Sequence, residues 1–427
     1  MQHPTAERPS WELYSPGQRW WFLAILFLVS MSNYIDRQVM SVLLEPIKLE
    51  FGASDTQMGL LGGFAFAVFY AFFGMPVAWL ADRGNRRTVI TVSLAAWSVM
   101  TMICGFAKSF PQLFAARMGV GVGEAGAIPP AQSLIADYFP PEQRGRALAI
   151  FMASTMAGYL IAFNGGAQLA ASHGWRTAFI ALGAPGLLLC LLTQMGLKEP
   201  RTLPGRAANP AAGEKIGETF AALAHKRSFV LLCVAMVLYF LVAYGAVTWF
   251  PAYLVRVMHR PLTEVGAIYG AVAAVAALVG TLGGGVITDR LAKRDESWLA
   301  RVPGILLLIC CPFYVLAVST NDFLVFLIGA TIGGVGVSAA VPAMFTVLHR
   351  ICGSSRRAMS VAIVFFFANL LGLGFGPLIT GALSDMFTAT MGPVGLRYAL
   401  IISFSILVPS GLTMILLARF LKRDIEV

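Results

Sequence analysis

Charged residues are scarce in this chain of 427 amino acids, where Asp, Glu, Lys and Arg make up 12% of the sequence. An ordinary soluble domain carries about 25%. Hydrophobic residues account for 58% of the chain, and the mean hydropathy is +0.75. A water-soluble fold cannot bury that much apolar surface, so the composition predicts an integral membrane protein. The net charge of +10 then indicates membrane orientation and not binding to nucleic acid.

Histidine and cysteine are also few, and neither forms a chemical motif. The five histidines are His3, His173, His225, His259 and His349. None belongs to a nucleophile–base pattern, which argues against a membrane acyltransferase or lipid hydrolase. The six cysteines have no metal-site or disulfide spacing, and no phosphate-binding GK[ST] loop is present. The sequence therefore predicts no enzyme, no cofactor, no metal site and no ATP-driven pump.

Long apolar runs dominate what remains, and about 20 apolar residues suffice to cross a bilayer. Twelve candidate spans lie at 19–45, 56–81, 88–108, 111–138, 144–170, 174–197, 227–257, 263–290, 301–319, 322–350, 356–386 and 393–421. We predict an all-α membrane protein whose twelve helices form two six-helix pseudo-symmetric bundles. The bundles are expected at 19–197 and 227–421, joined by a polar cytoplasmic linker at 198–226 and flanked by tails at 1–18 and 422–427.

The positions of Lys and Arg predict the orientation, because cytoplasmic loops are enriched in both. Most of them fall on the side that holds both termini, which we therefore place in the cytoplasm. The loops on the other side hold Lys48, Lys108, Arg176, Arg256, Arg260 and Arg397. The basic cytoplasmic loops also lie where the anionic headgroups of membrane lipids are.

The two halves of the chain carry similar motifs at corresponding positions. Asp82-Arg83 lies directly after span 2 and Asp289-Arg290 at the end of span 8, while an Arg-Ala pair follows span 4 and span 10 at nearly the same offset. Two parallel six-span repeats are typical of the major facilitator fold, whose substrate site lies near the midplane between the halves.

Several motifs carry a family resemblance. They are NYIDR at 33–37, PIKLEFGASDTQMGLL at 46–61, LADRGNRR at 80–87, ARMGVGVGEAG at 116–126 and IADYFPPEQRGRA at 135–147. The chain resembles major facilitator transporters over its whole length, and the Spinster family within them. The resemblance implies alternating-access transport of amphiphilic lipids such as sphingosine phosphate or lysophospholipids, with proton coupling proposed for some members. We expect a functional monomer in a bacterial inner membrane.

Four charges lie inside spans 1 and 4, where each costs roughly 2.5–3.5 kcal/mol on insertion scales. They are Asp36, Arg37, Arg117 and Glu124, and they match the polar site of Spinster proteins. Helix geometry places them at similar depths, so we expect Asp36 to pair with Arg117 and Arg37 with Glu124. We assign the two acids to proton coupling. The two arginines are expected either to bind the substrate headgroup or to keep the acids in their charged form. A purely structural ion-pair network is the alternative.

The second half has no such charges, and its candidate substrate residues are aromatic or amide side chains. The further candidates are Asn33, Tyr34, Tyr239, Tyr244, Trp249 and Asn369. A charged half and an aromatic half suit an amphiphile, although such residues also pack helices together. A carrier of small organic anions that uses the same arginines is the second hypothesis, and a cavity open sideways to lipid would distinguish the two.

A cytoplasmic gate is the last expectation. By family analogy Asp82 faces the start of span 11, and Asp289 is its counterpart in the second half. Arg86 or Arg87 is expected to pair with Asp137 at the end of span 4. The alternative is that these charges only set the topology.

Overall fold

The computed structural model describes residues 9–202, 216–353 and 357–425. Within these ranges the chain is almost entirely helical and contains no strand. Eight continuous helical stretches there are long and apolar enough to cross a membrane. Two of them, Pro141–Thr202 and Met359–Asp424, have 62 and 66 residues and are each long enough to cross twice. The predicted all-α membrane fold is confirmed.

The first six helices follow the predicted spans closely. They are α1 (Pro16–Phe51), α2 (Asp55–Arg83), α3 (Arg86–Phe106), α4 (Phe110–Glu124 and Ile128–Tyr138), α5 (141–173) and α6 (175–196). Gly174 separates α5 from α6, because its φ of 83° is not helical. Few residues other than glycine adopt that conformation. Helix α1 continues through Pro46 to Phe51, six residues beyond the end of the predicted span 19–45. Helix α4 is interrupted directly after Glu124, where a continuous helix was predicted.

The remaining helices include a short linker helix and six long ones. They are the linker helix (Ile216–Ala224), α7 (Arg227–Arg256), α8 (Leu262–Ala292), α9 (Trp298–Ser319), α10 (Phe323–Cys352), α11 (357–391) and α12 (395–424). Wider π-helical turns interrupt α5 at Ile161–Gly165 and α11 at Ala368–Leu373. Such turns are rare and occur frequently at functional sites.

The chain forms two compact units, and the division crosses helix α1. One unit holds residues up to Val39 together with Phe69–Ala211, and the other holds Met40–Val68 with the chain from Ala212 onward. The sequence-based division stays a prediction, and these units differ from it in the placement of 40–68.

Close packing explains why the start of α2 belongs with the second unit. A Cβ atom on Gly59 would lie 2.5 Å from the carbonyl oxygen of Pro377, and one on Gly63 would lie 2.4 Å from that of Leu373. Only glycine permits the α2 and α11 backbones to approach this closely, as is common between membrane helices. Residues 55–63 are therefore held against α11.

Candidate substrate and proton-coupling site

The central feature of the first unit is an ion pair between α1 and α4. Arg37 donates from Nη2 and Nε to the same carboxylate oxygen of Glu124, at 2.9 and 3.2 Å. Glu124 ends the first segment of α4, and residues 125–127 form a turn before the helix resumes at Ile128. The pair that the sequence predicted is thus brought together in the structure.

Arg37 differs from the other three charges in its exposure. Its side chain is 12% exposed, whereas Asp36 and Glu124 are fully buried and Arg117 is 1% exposed. Of these four charged groups, Arg37 is the one that an incoming ligand can reach. We call these residues, Asp36, Arg37, Arg117 and Glu124, the α1–α4 cluster.

Two tyrosine rings flank the Arg37 guanidinium. The ring centroid of Tyr70 is 5.0 Å from the guanidinium carbon, and that of Tyr34 is 5.8 Å away. Cation–π contacts of this kind hold a guanidinium in one place and contribute about 0.5–2 kcal/mol. Tyr34 was a candidate from the sequence. Tyr70 was missed, because a tyrosine within the apolar run FAFAVFYAFF carries no signal of its own.

The second expected pair is arranged differently. Arg117 Nη1 donates to the main-chain carbonyl of Asp36 at 3.2 Å, and not to its carboxylate. Neither carboxylate oxygen of Asp36 accepts a hydrogen bond from the described residues. The buried side chains of Trp97 and Thr101 on α3 lie beside this carboxylate. The expected Asp36–Arg117 carboxylate bridge is therefore replaced by a main-chain contact.

Further polar atoms near the pair have no partner in the described part of the chain. Oε1 of Glu124 and the two amide atoms of the buried Asn33 form no hydrogen bond of ordinary length there, although the Asn33 amide lies beside the Glu124 carboxylate. Buried polar groups are satisfied in the great majority of cases, so such a group calls for an explanation. The α1–α4 cluster is thus a half-satisfied network in a low-dielectric setting.

The candidates of the second unit separate into two kinds. The Tyr244 hydroxyl donates to Oδ1 of Asn369, a residue of the π-helical turn of α11, at 3.4 Å, and both side chains are partly exposed. Trp249 is fully buried and its indole donates to the Pro377 carbonyl at 2.9 Å, so in this conformation it packs α7 against α11, and its role as a substrate ligand stays a prediction. Tyr239 is 5% exposed and packs edge-on against Phe240.

A second ion cluster, which the sequence reasoning missed, joins α1, α2 and α7. Arg256 donates to Glu45 Oε2 at 2.7 Å and to Asp55 Oδ2 at 2.6 Å, and Lys48 donates to Asp55 Oδ1 at 2.6 Å. We call Glu45, Lys48, Asp55 and Arg256 the α1–α7 cluster. The sequence had treated Lys48 and Arg256 only as loop charges.

Hydrogen bonds from α11 complete this cluster. Ser384 donates to Asp55 Oδ2 at 2.6 Å. Asp385 accepts from the main-chain amides of Asp55 and Thr56 at 2.8 and 2.7 Å, and from the Thr56 hydroxyl at 2.6 Å. A carboxylate at a helix N-terminus satisfies amides that otherwise lack partners. The start of α2 is thereby fixed to α11.

The predicted gate residues of the first unit meet around Arg86. This buried arginine donates to Asp137 at 2.6 Å and to Glu199 at 2.6 Å. Glu199 was missed, because it lies in the segment that we assigned to the linker. Arg87 instead reaches the Leu197 carbonyl at 3.5 Å.

Two further gate candidates, Asp82 and Asp289, are exposed. The main-chain carbonyl of Asp82 accepts a hydrogen bond from Arg201 at 2.8 Å. The contact of Asp82 with the start of α11 stays a prediction.

Comparison with known families decides the class of protein. The model of the Major Facilitator Superfamily matches residues 26–319. The chain belongs to this superfamily. A bacterial homologue of the human lysosomal transporter Spinster, in an inward-facing and unoccupied conformation, superposes with a TM-score of 0.88 at 30% identity, covering 97% of this chain and 100% of that one. The Spinster resemblance and the twelve-helix fold are therefore confirmed.

Two curated relatives are named for different transport functions. An MFS-type efflux pump of Mycolicibacterium smegmatis is 35% identical over 91% of this chain and 90% of its own. A probable galactarate/D-glucarate transporter of Bacillus subtilis is 28% identical over 73% of this chain and 74% of its own. The chain is thus a multi-pass membrane protein of a transporter family, and the family is not one of enzymes.

Proposed function

We propose that this major facilitator protein moves single-chain amphiphilic lipids of the lysophospholipid or sphingoid phosphate type together with protons. It would do so as a secondary transporter that works by alternating access. The observation that carries the proposal is the partly exposed Arg37, which is paired with one buried carboxylate and lies within 6 Å of two tyrosine rings.

Arg37 is suited to an anionic headgroup. A guanidinium presents five donors in a planar fork that fits a phosphate or carboxylate bidentately, and it stays charged in proteins. In the present arrangement its Nε and Nη2 atoms both bond one oxygen of Glu124. An entering anion would therefore compete with Glu124 for the same fork.

That competition links anion binding to protonation. Glu124 is fully buried, and a buried carboxylate that loses its partner carries an uncompensated charge worth several kcal/mol. Taking up a proton removes that penalty, because burial disfavours the charged form. The anion and one proton thus enter together. The same logic makes Asp36 a second proton acceptor, since its buried carboxylate accepts no hydrogen bond of ordinary length in the described residues, although the Trp97 and Thr101 donors lie beside it.

A carrier of small organic anions is the second candidate. It is supported by the 28% identical Bacillus subtilis relative, which is named for galactarate and D-glucarate. Both candidates use Arg37 in the same way, so the cluster alone does not separate them. The likeness to the bacterial Spinster homologue over 97% of the chain favours the lipid.

The test is flux in proteoliposomes under an imposed pH gradient, with labelled lysophosphatidylglycerol and labelled glucarate offered in parallel. We expect lysophosphatidylglycerol flux that the gradient drives in wild type and no longer drives in Glu124→Gln. The control is Glu264→Gln, which removes an acid paired with Arg260 near the start of α8 and should leave the flux unchanged. Gradient-driven glucarate flux without lipid flux would select the organic-anion function, and flux insensitive to pH in wild type would contradict proton coupling.

A further inference from the structure

A groove runs along the surface of the first unit between α1 and α5. It is an open depression of about 340 Å³ lined by Trp20, Leu23, Ala24, Phe27, Leu28 and Ile150. Residues 20, 24 and 28 share one face of α1 because they are four residues apart. The small Ala24 between two large side chains makes the notch, and the lining is almost wholly apolar. The groove is therefore shaped for a hydrocarbon chain.

Two arginines lie at the end of this groove where α1 begins. The Arg146 guanidinium is 5.3 Å from the ring centroid of Trp20, which itself lines the groove. The Arg144 guanidinium is 5.4 Å from the ring of Trp11, and its Nε donates to the Phe139 carbonyl at 3.1 Å. Trp20 also packs edge-on against Phe139 at 5.3 Å. Aromatic rings thus fix both cations beside the mouth of the groove.

Neither arginine is paired with a carboxylate in the described part of the chain. Within residues 9–202, 216–353 and 357–425 no carboxylate lies within ion-pair distance of Arg144 or Arg146, although the exposed Glu142 is close in sequence. By contrast Arg37, Arg86 and Arg256 each hold a carboxylate. Uncompensated arginines above an apolar groove complement a molecule with an anionic head and an apolar tail.

We propose that this groove binds one anionic phospholipid of the surrounding bilayer, with its phosphate at Arg146 and Arg144 and an acyl chain along Ala24. Arg146 has its guanidinium donors available for a bidentate contact with a phosphate. The site is separate from Arg37, which lies seventeen residues after Trp20 on α1, about 25 Å along the helix at ~1.5 Å per residue. The inference does not depend on what the protein transports.

Native mass spectrometry of the detergent-purified protein tests this site, with phosphatidylglycerol and phosphatidylcholine of the same chain length titrated separately. We expect the first phosphatidylglycerol to bind at least about fivefold more tightly than phosphatidylcholine, since a charge-assisted contact is worth about 1 kcal/mol or more. Glycerol phosphate, which has the head without the tail, should not compete at equal concentration.

Variants separate the head contact from the groove. Arg146→Gln should abolish the preference for phosphatidylglycerol, and Ala24→Trp should weaken the binding of both lipids by filling the notch. The matched control is Arg83→Gln, because Arg83 is also an exposed arginine stacked on an exposed tryptophan, Trp79, at 4.4 Å. Thermal unfolding of each variant without added lipid shows whether the fold is retained.

Three results would overturn the proposal. The first is equal affinity of wild type for the two lipids. The second is an equal loss of preference in Arg83→Gln and Arg146→Gln, which would indicate only diffuse surface charge. The third is unchanged lipid binding in Ala24→Trp, which would show that no chain occupies the groove.

Discussion

The α1–α4 cluster and the α1–α7 cluster have the same inventory, two acids and two bases in a mostly buried setting, but their hydrogen bonding differs. In the α1–α7 cluster both oxygens of Glu45 and both oxygens of Asp55 accept hydrogen bonds. In the α1–α4 cluster both oxygens of Asp36 and one of Glu124 accept none from the described residues. A fully satisfied network fixes its helices, whereas a half-satisfied one has capacity left for a ligand or a proton.

The comparison assigns different roles to chemically similar groups. Each oxygen left unbonded in a buried site lowers stability by about 1–3 kcal/mol, so the α1–α4 cluster is retained at the expense of stability. We infer that its role is transport, and that the α1–α7 cluster holds the end of α1 and the start of α2 against α7 and α11. Substitutions in the two clusters should therefore differ in what they damage.

The largest effect is expected from Arg256→Met. The substitution leaves Glu45 and Asp55 with too little positive charge, and breaking a buried ion pair from one side costs about 3–5 kcal/mol. Denaturant titration in micelles should show a loss of that size in the free energy of unfolding. Adding Glu45→Gln and Asp55→Asn removes the excess negative charge and should restore most of the loss. If the triple variant is no more stable than Arg256→Met, the cluster is not what holds these helices.

The next prediction compares the same substitution at two aspartates, Asp55 and Asp36. Asp55→Asn should lower the free energy of unfolding by about 2–3 kcal/mol, because it weakens charged hydrogen bonds to Lys48 and Arg256. Asp36→Asn should not lower it, because the buried Asp36 carboxylate accepts no such bond and the amide removes a buried charge, yet it should impair pH-driven flux. A loss in Asp36→Asn equal to that in Asp55→Asn would remove the distinction between the clusters.

Arg37→Lys tests the headgroup contact. It keeps the charge but removes the planar fork, so we expect transport to fall about tenfold, which corresponds to about 1.4 kcal/mol. Arg260→Lys is the control, because Arg260 is also stacked on a ring, that of Phe323, and paired with an acid. Radiolabelled flux at fixed pH measures both. Equal flux in Arg37→Lys and wild type would show that a point charge suffices.

The smallest effect concerns Tyr70. Tyr70→Leu removes the ring that lies 5.0 Å from the Arg37 guanidinium, and a two- to fivefold loss of substrate affinity follows from about 0.5–1 kcal/mol of cation–π energy. Tyr70→Phe keeps the ring and should bind nearly as well as wild type. Equal losses in the two variants would assign the effect to the hydroxyl and not to the ring.

Sequence reasoning reached the Arg37–Glu124 pair because both charges lie in spans whose helical rise fixes their depth. It missed the α1–α7 cluster for two physical reasons. Pro46 was taken as the end of α1, whereas the helix continues to Phe51 and carries Lys48 with it. The role of Arg256 depends on contacts with residues about 200 positions earlier in the chain, which no local pattern reveals.

Side-chain exposure was the other quantity that the sequence could not provide. Arg37 and Arg117 are the same residue type in similar apolar spans, but Arg37 is partly exposed and Arg117 is buried. The same holds for Tyr244, which reaches Asn369, and Trp249, which packs against Pro377. Periodicity predicts which helix a residue belongs to, whereas the exposure of its side chain depends on how the neighbouring helices pack.

The most direct test of the central claim is the number of protons taken up when the anion binds. Purified protein in a weakly buffered detergent solution with a pH indicator is mixed with lysophosphatidylglycerol or glucarate, whichever the flux assay identifies. If the anion displaces the Glu124 carboxylate from Arg37, wild type should take up about one proton per ligand bound, and Glu124→Gln almost none. Binding to wild type without proton uptake, or undiminished uptake in Glu124→Gln, would contradict it.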